Sequence, residues 1–189
     1  MSFCKLDVEN DQWLTQASAE DWKNVIDECA FATFEATRWA TPSEISFLLT
    51  DDAVMQQLNS QYRGQNKATN VLSFPLLSFS RPGMPSSEVM YCDEPDTRLS
   101  GVTRKKNTPQ TPTKVCLLGD VVLSYSAILR ELRTLKGPFM DRAFHLMTHG
   151  ILHLIGYDHE NDSEAFLMES VEAMILQKFG ISDPYDSDP

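Results

Sequence analysis

All four histidines of this 189-residue chain, His145, His149, His153 and His159, fall within fifteen residues. Neutral imidazole is the commonest metal ligand among side chains, so such a cluster points first to a metal ion. On a helix, His149 and His153 stand at i and i+4, and both rings project from one face a single turn apart, where they can chelate one ion. His145 extends the stripe, but eight residues of helix, about 12 Å, separate it from His153. Nitrogens at about 2.0–2.1 Å from a zinc ion lie only a few ångströms from one another. His145 is therefore placed outside the ligand set, holding another group by a ring nitrogen. Gly156 lets the chain turn sharply after the helix, and Tyr157-Asp158 brings His159 back towards the pair as the third ligand. Three neutral imidazoles leave a fourth tetrahedral position open, as in catalytic rather than structural zinc sites. Metalloproteases of the His-Glu-x-x-His type place their general base directly after the first histidine. That position is Gly150 here, which argues against ordinary peptide hydrolysis and leaves metal chemistry in place.

These residues need elements to hold them. Phe139 to Ile155 has helical apolar spacing and predicts the metal helix, with Gly156 as its cap. Upstream, Ser18 to Asp21 reads as a capping box opening a helix towards Ala40, closed by Pro42. Ile45 to Leu49 and Val71 to Phe74 read as core strands, and Asp51 or Asp52 caps a helix between them that ends at Arg63-Gly64. Lys114 to Leu123, interrupted by Gly119-Asp120, reads as a strand pair or one bent strand. Ser124 to Leu135 has helical spacing, and a last helix starts near Asp162. Five acids and no base lie between Glu160 and Glu172, which suits a helix N-terminal half and a solvated face. Strands interleaved with helices predict an α/β fold of the α+β type: a mixed, mostly parallel sheet covered by helices. Residues 1–180 are read as one catalytic domain and 181–189 as a frayed polar tail. Five of the ten prolines and ten Ser or Thr fall in the 36 residues 78–113, read as a flexible insertion.

The composition, 42% hydrophobic and 23% charged, is that of a globular protein. No apolar run approaches the roughly 18 residues of a membrane span, and Met1 to Asn10 lacks the apolar stretch of a secretory signal, so a cytoplasmic location is expected. A net charge of −11 opposes a general nucleic-acid coat while allowing a local basic groove. Arg98 to Lys114 carries five basic residues and no acid, and reads as a solvated loop able to touch RNA backbone. Cys4, Cys29, Cys92 and Cys116 form no Cys-x-x-Cys pair and are read as isolated thiols.

The run from His149 to His159, His-Gly-Ile-Leu-His-Leu-Ile-Gly-Tyr-Asp-His, resembles the His-Gly-x-x-His-Leu-x-Gly-Tyr-Asp-His motif of the YbeY family, bacterial metal-dependent endoribonucleases of ribosomal RNA maturation. Leu58 to Gly64 leading into Thr69 to Pro75, Leu118 to Ser124, and Glu164 to Leu176 resemble further segments of that family. The resemblance covers most of Ile45 to Leu77 and Leu117 to Phe179. It implies a single α/β domain, zincin-like at the metal helix, with one zinc ion held by His149, His153 and His159 and with Arg63 a functional residue in the nearby groove. Asn70 and Ala68 stand where the family usually has Asp and Pro, and the 78–113 segment is longer than its counterpart.

The resulting expectation is a zinc-dependent endoribonuclease directed at single-stranded RNA, in small-subunit ribosomal RNA processing and ribosome quality control. Its partners would be ribosomal RNA and small-subunit components. His149 and Arg63 are the catalytic candidates: the histidine holds the metal that activates water, and the planar guanidinium grips phosphate. Neither Asp158 nor Asp120 is a firm general base; Asp158 is read as orienting His159, Asp120 as a buried cap. Two rivals remain open at this point: a metal hydrolase of a peptide or small ester, and a non-enzymatic ribosome-assembly factor with a structural metal.

Overall fold

The computed structural model describes residues 2–85, 115–135 and 137–186. Most of the expected insertion, the basic stretch and Cys92 lie outside these residues. The first element is a strand that the sequence reading passed over, β1 (Ser2–Val8), in which Cys4 points into the core while Lys5 and Asp7 face outward. A 3-10 turn at Asp11–Thr15 buries Trp13, whose indole donates to the Thr50 carbonyl at 2.9 Å. Helix α1 (Ala19–Thr37) opens on the expected capping box, Ser18 with Asp21. It stops short of Ala40 because Arg38 takes a left-handed conformation that turns Trp39 back into the core, where its indole donates to Ser43 at 2.8 Å.

Strand β2 (Ser43–Thr50), helix α2 (Asp52–Arg63, capped by Asp51 and Gly64) and strand β3 (Val71–Pro75) follow. The expected insertion opens as a small hairpin, β4 (Phe79–Arg81) with β5 (Met84–Pro85). Strand β6 (Cys116–Ser124) is one continuous strand rather than a pair. Gly119 supplies its irregularity: φ is 136° and a Cβ there would meet the Phe74 carbonyl oxygen at 2.1 Å, so no other residue fits. Helix α3 (Tyr125–Glu131) is shorter than expected, and α4 (Phe139–Leu154) and α5 (Asp162–Lys178) complete the elements of the described residues.

The main sheet has the order β1-β2-β6-β3. Strands β1, β2 and β6 run parallel, and β3 pairs antiparallel to β6 at the edge, giving the mixed, mostly parallel sheet expected of this α/β fold. The period of two sends Ile45, Phe47, Leu49, Val121 and Leu123 to one face, where α1 and α4 cover them with α5 outside. Leu48, Leu72, Phe74 and Val122 go to the other, under Met55 and Leu58 of α2. The helix that carries the histidines and the helix that ends in Arg63 thus pack on opposite faces. Among the described residues no helix is long and apolar enough to cross a membrane.

The C-terminal segment departs from expectation. Ile181 packs on the core, its N–H bonding the Leu176 carbonyl at 3.1 Å, and Tyr185 reaches a buried carboxylate of α5. Residues 181–186 are tied down by these contacts rather than frayed.

Candidate metal centre

Helix α4 lies close on the sheet because its contact residue has no side chain. A Cβ on Gly150 would meet Val121 Cγ1 at 2.6 Å and Ser73 Oγ at 3.2 Å. The site where a zincin protease carries its glutamate therefore faces the sheet, with no space for a carboxylate. His149 and His153, on the neighbouring stripe of α4, turn away from the sheet towards α5 and the chain after the helix. Gly156, at φ 88°, permits the turn, and a Cβ there would meet the Phe79 ring at 2.5 Å. That turn returns His159 to the pair. One ligand nitrogen from each of His149, His153 and His159 lies within 4.8 Å of the other two.

The tautomers follow from partners that can only accept. His149 Nδ1 faces Glu172 Oε1 at 2.8 Å, and His153 Nδ1 faces the Tyr157 carbonyl oxygen at 3.0 Å, so both Nδ1 atoms carry the proton. Both Nε2 atoms are then bare lone pairs, and they face each other at 3.1 Å. Two lone pairs at that distance repel unless a cation lies between them. Two nitrogens on tetrahedral zinc would be separated by about 3.3 Å, the edge of a tetrahedron of 2.0–2.1 Å bonds. The donor set therefore fits a metal ion. Burial, together with the His149 and His159 rings, lowers the His153 pKa to about 4, which leaves a neutral, ligating imidazole at pH 7. His159 is exposed, so the centre opens to solvent on that side.

Glu172 is the residue that sequence reading missed. It is completely buried, and both oxygens are in use: Oε1 accepts from His149, Oε2 from His145 Nε2 at 3.0 Å and from the Tyr185 hydroxyl. Burial alone would oppose its ionisation. The hydrogen bonds from His145 and His149 outweigh that penalty and bring its pKa down to about 2. Its sequence signal was its place: Glu172 sits four residues after Met168 and three before Ile175, on the apolar stripe of α5 rather than on the acidic face.

His145 has both ring nitrogens engaged, Nε2 with Glu172 and Nδ1 with the Arg142 guanidinium at 2.9 Å, and lies outside the ligand cluster. Arg142 Nε continues to Glu131 at 2.8 Å, and Glu131 accepts from Asn70 at 2.7 Å. A chain of hydrogen bonds thus runs from the edge of β3 to His149. Beside it opens a cavity of about 510 Å³, lined by Asn70, Arg142, His145, Leu146, His149 and Tyr185 among others.

The other candidates are placed as follows. Asp158 Oδ1 accepts the His159 backbone N–H at 2.8 Å and lies 4.0 Å from His153 Nδ1, beside the cluster and half-exposed. Asp120 is not a buried cap: it is exposed and, one residue out of phase with Val121, projects from the α2 face into a groove with Tyr62 and Phe74. Arg63, the last residue of α2, is exposed and makes no hydrogen bond or ion pair among the described residues. From it, residues 64–70 lead the chain round to β3, the edge strand whose Ser73 hydroxyl donates to the Gly150 carbonyl of α4 at 3.2 Å. Cys4, Cys29 and Cys116 are buried and form no disulfide among the described residues, and burial pushes the Cys29 thiol up to about 12, an unreactive state.

The Rhodospirillum rubrum protein named endoribonuclease YbeY is 43% identical over 145 residues, an alignment that covers 77% of this chain and 60% of that protein. The chain thus spans less than two thirds of that relative's length. Its Bradyrhizobium diazoefficiens namesake is 41% identical over 147 residues, covering 78% of this chain and 66% of the relative. The solution structure of TM1509 from Thermotoga maritima is 18% identical with a TM-score of 0.49, over 100% of this chain and 98% of that one. A family model described as endoribonuclease YbeY matches residues 7–180, and with that span and those identities the chain belongs to the endoribonuclease YbeY family.

Proposed function

We propose that this protein is a zinc-dependent endoribonuclease that cleaves single-stranded ribosomal RNA in small-subunit maturation and ribosome quality control, in the cytoplasm. The observation that carries the reading is the pair of facing Nε2 lone pairs of His149 and His153, closed by His159, in a chain of this family. These three histidines would hold the ion. When bound, zinc supplies Lewis acidity that polarises a phosphate oxygen and acidifies a water. Glu172 and the Tyr157 carbonyl keep the two helical imidazoles in the tautomer that ligates. The exposed side at His159 admits a macromolecular strand, and the cavity beside His149 gives a nucleotide room next to the reacting bond.

Arg63 grips RNA phosphate with its unengaged guanidinium. Because α2 lies on the far face of the sheet, Arg63 would hold RNA on the opposite side of the sheet from the histidines, with β3 as the edge strand. Asp158, the half-exposed carboxylate nearest the cluster, is placed to orient His159 through its N–H. Metal analysis combined with an RNA cleavage assay tests the reading: one zinc per chain, and cleavage lost on chelation and restored by zinc. Peptide turnover without RNA turnover would favour the hydrolase rival. Metal bound without any turnover would favour an assembly factor.

A further inference from the structure

The chain after α5 ends on the metal centre by a defined path. Gly180, at φ 70°, turns the chain out of the helix, its N–H bonding the Gln177 carbonyl at 3.1 Å. Ile181 then anchors in the core, and the Asp183 carboxylate accepts the Tyr185 N–H at 2.9 Å, bending the backbone around Pro184. Tyr185 is thereby laid edge-on to His145, with ring centroids 5.9 Å apart at 84°, and its hydroxyl donates to Glu172 Oε2.

We propose that Tyr185 is a positioning residue for the metal ligand His149. The inference rests on the metal reading of the three histidines. Glu172 can fix the His149 ring only if its own carboxylate is fixed, and it is buried among groups that could draw it elsewhere. His145 and Tyr185 both hold Oε2, which leaves Oε1 directed at His149 Nδ1. His145 is itself held from behind by Arg142 and Glu131. Among the described residues Tyr185 has no such backing, and it reaches the centre from outside the helices. Loss of its hydroxyl frees one lone pair of Oε2, lets the carboxylate turn towards His145, and loosens the Nδ1 proton that keeps His149 Nε2 bare.

The test compares the full-length chain with Tyr185→Phe, which keeps the ring against His145 and removes the donor alone. Zinc affinity is read by competition with a chromophoric chelator. Groups that support a metal ligand are commonly worth about 10- to 100-fold in affinity. Tyr185→Phe is expected near the lower end, about tenfold, and Glu172→Gln near the upper. Asp186→Asn, one residue along, serves as the control and is expected to match the wild type. In metal-free protein, the ¹⁵N shifts of His149 report its tautomer: Nδ1–H in the wild type, with an Nε2–H fraction growing in Tyr185→Phe. A merely structural tyrosine would lower the melting temperature and leave both readouts unmoved. A loss of zinc affinity below about threefold with an unchanged tautomer would overturn the inference. Wild-type protein that binds no zinc would overturn the metal reading instead, and the tautomer measurement would still decide the role of Tyr185.

Discussion

Glu172 on α5 and Asp52 at the head of α2 are both carboxylates held by several donors, and they differ in what surrounds them. Glu172 is completely buried and accepts from two imidazoles and a phenol. Asp52 is a third exposed at its side chain; it accepts from Ser124 at 2.6 Å and from the Arg130 guanidinium. The first arrangement spends its hydrogen bonds on orienting rings whose outer nitrogens face one another. The second joins α2 to the end of β6 and to α3, next to solvent that competes for the same charges. Burial therefore separates a carboxylate that orients imidazoles from one that holds helices in place. The α2 side has acids of its own, Asp7, Glu9 and Asp120, in a groove with Tyr62 and Phe74, but none of the chain's histidines.

The most direct way to break this comparison is to remove a ligand. His153→Ala is expected to fold, lose stoichiometric zinc and drop RNA cleavage to background, read by metal analysis and a labelled-RNA assay. Cleavage that persisted without metal would move the chemistry elsewhere. Chelation of wild-type zinc should lower the melting temperature, since an ion at about 100 times its Kd stabilises by about 2.7 kcal/mol.

Arg63→Ala asks whether the opposite face contributes. The expected outcome is unchanged melting temperature and zinc content with cleavage reduced about 10²-fold, the usual cost of removing a donor aimed at developing charge. A fall carried by KM alone would place Arg63 on flanking RNA backbone. Normal activity with a lowered melting temperature would make it structural, although Gly64 already caps α2 through the Asn59 carbonyl.

Gly150→Ala sharpens the comparison from the packing side, because it pushes the histidine helix off the sheet without touching a ligand. Overpacking against Val121 is expected to cost about 1–3 kcal/mol. At about 2–4 °C per kcal/mol for a chain of this size, calorimetry would detect it readily. A variant as stable as the wild type would show that α4 can shift freely.

Asp52→Asn should have the smallest effect. The hydrogen bond from Arg130 holds the Asp52 carboxyl below its ordinary value. Its contribution is thus present above the unfolded pKa, about 3.9, and is lost as pH falls through the lowered folded value. Exposure limits it to at most about 1 kcal/mol. Melting temperatures of the two proteins should differ slightly at pH 7 and converge in acid; a gap that widened in acid would contradict the pairing.

The histidine spacing, the glycine after the helix, the capping box of α1 and the core strands were legible in the sequence because each rests on a local period or a local backbone need. So was the place of His145 outside the histidine cluster, which follows from helical rise alone. Strand β1 was passed over: Cys4, Leu6 and Val8 alternate with Lys5, Asp7 and Glu9, but that short period competes with its charges until β2 offers a partner. Glu172 was not legible as a partner of His149, since the 23 residues between them fold back only when α5 packs on α4. Tyr185 looked like part of a polar tail because its contact is made to a carboxylate that burial alone defines. Asp120 and Arg63 depended on which face of the sheet each would join, a question of layer packing rather than of spacing. The sequence by itself determined which residues could hold a metal; the tertiary structure decided which carboxylate would hold His149 and which phenol would hold that carboxylate, because these contacts form between segments distant in the chain and take their strength from the exclusion of water.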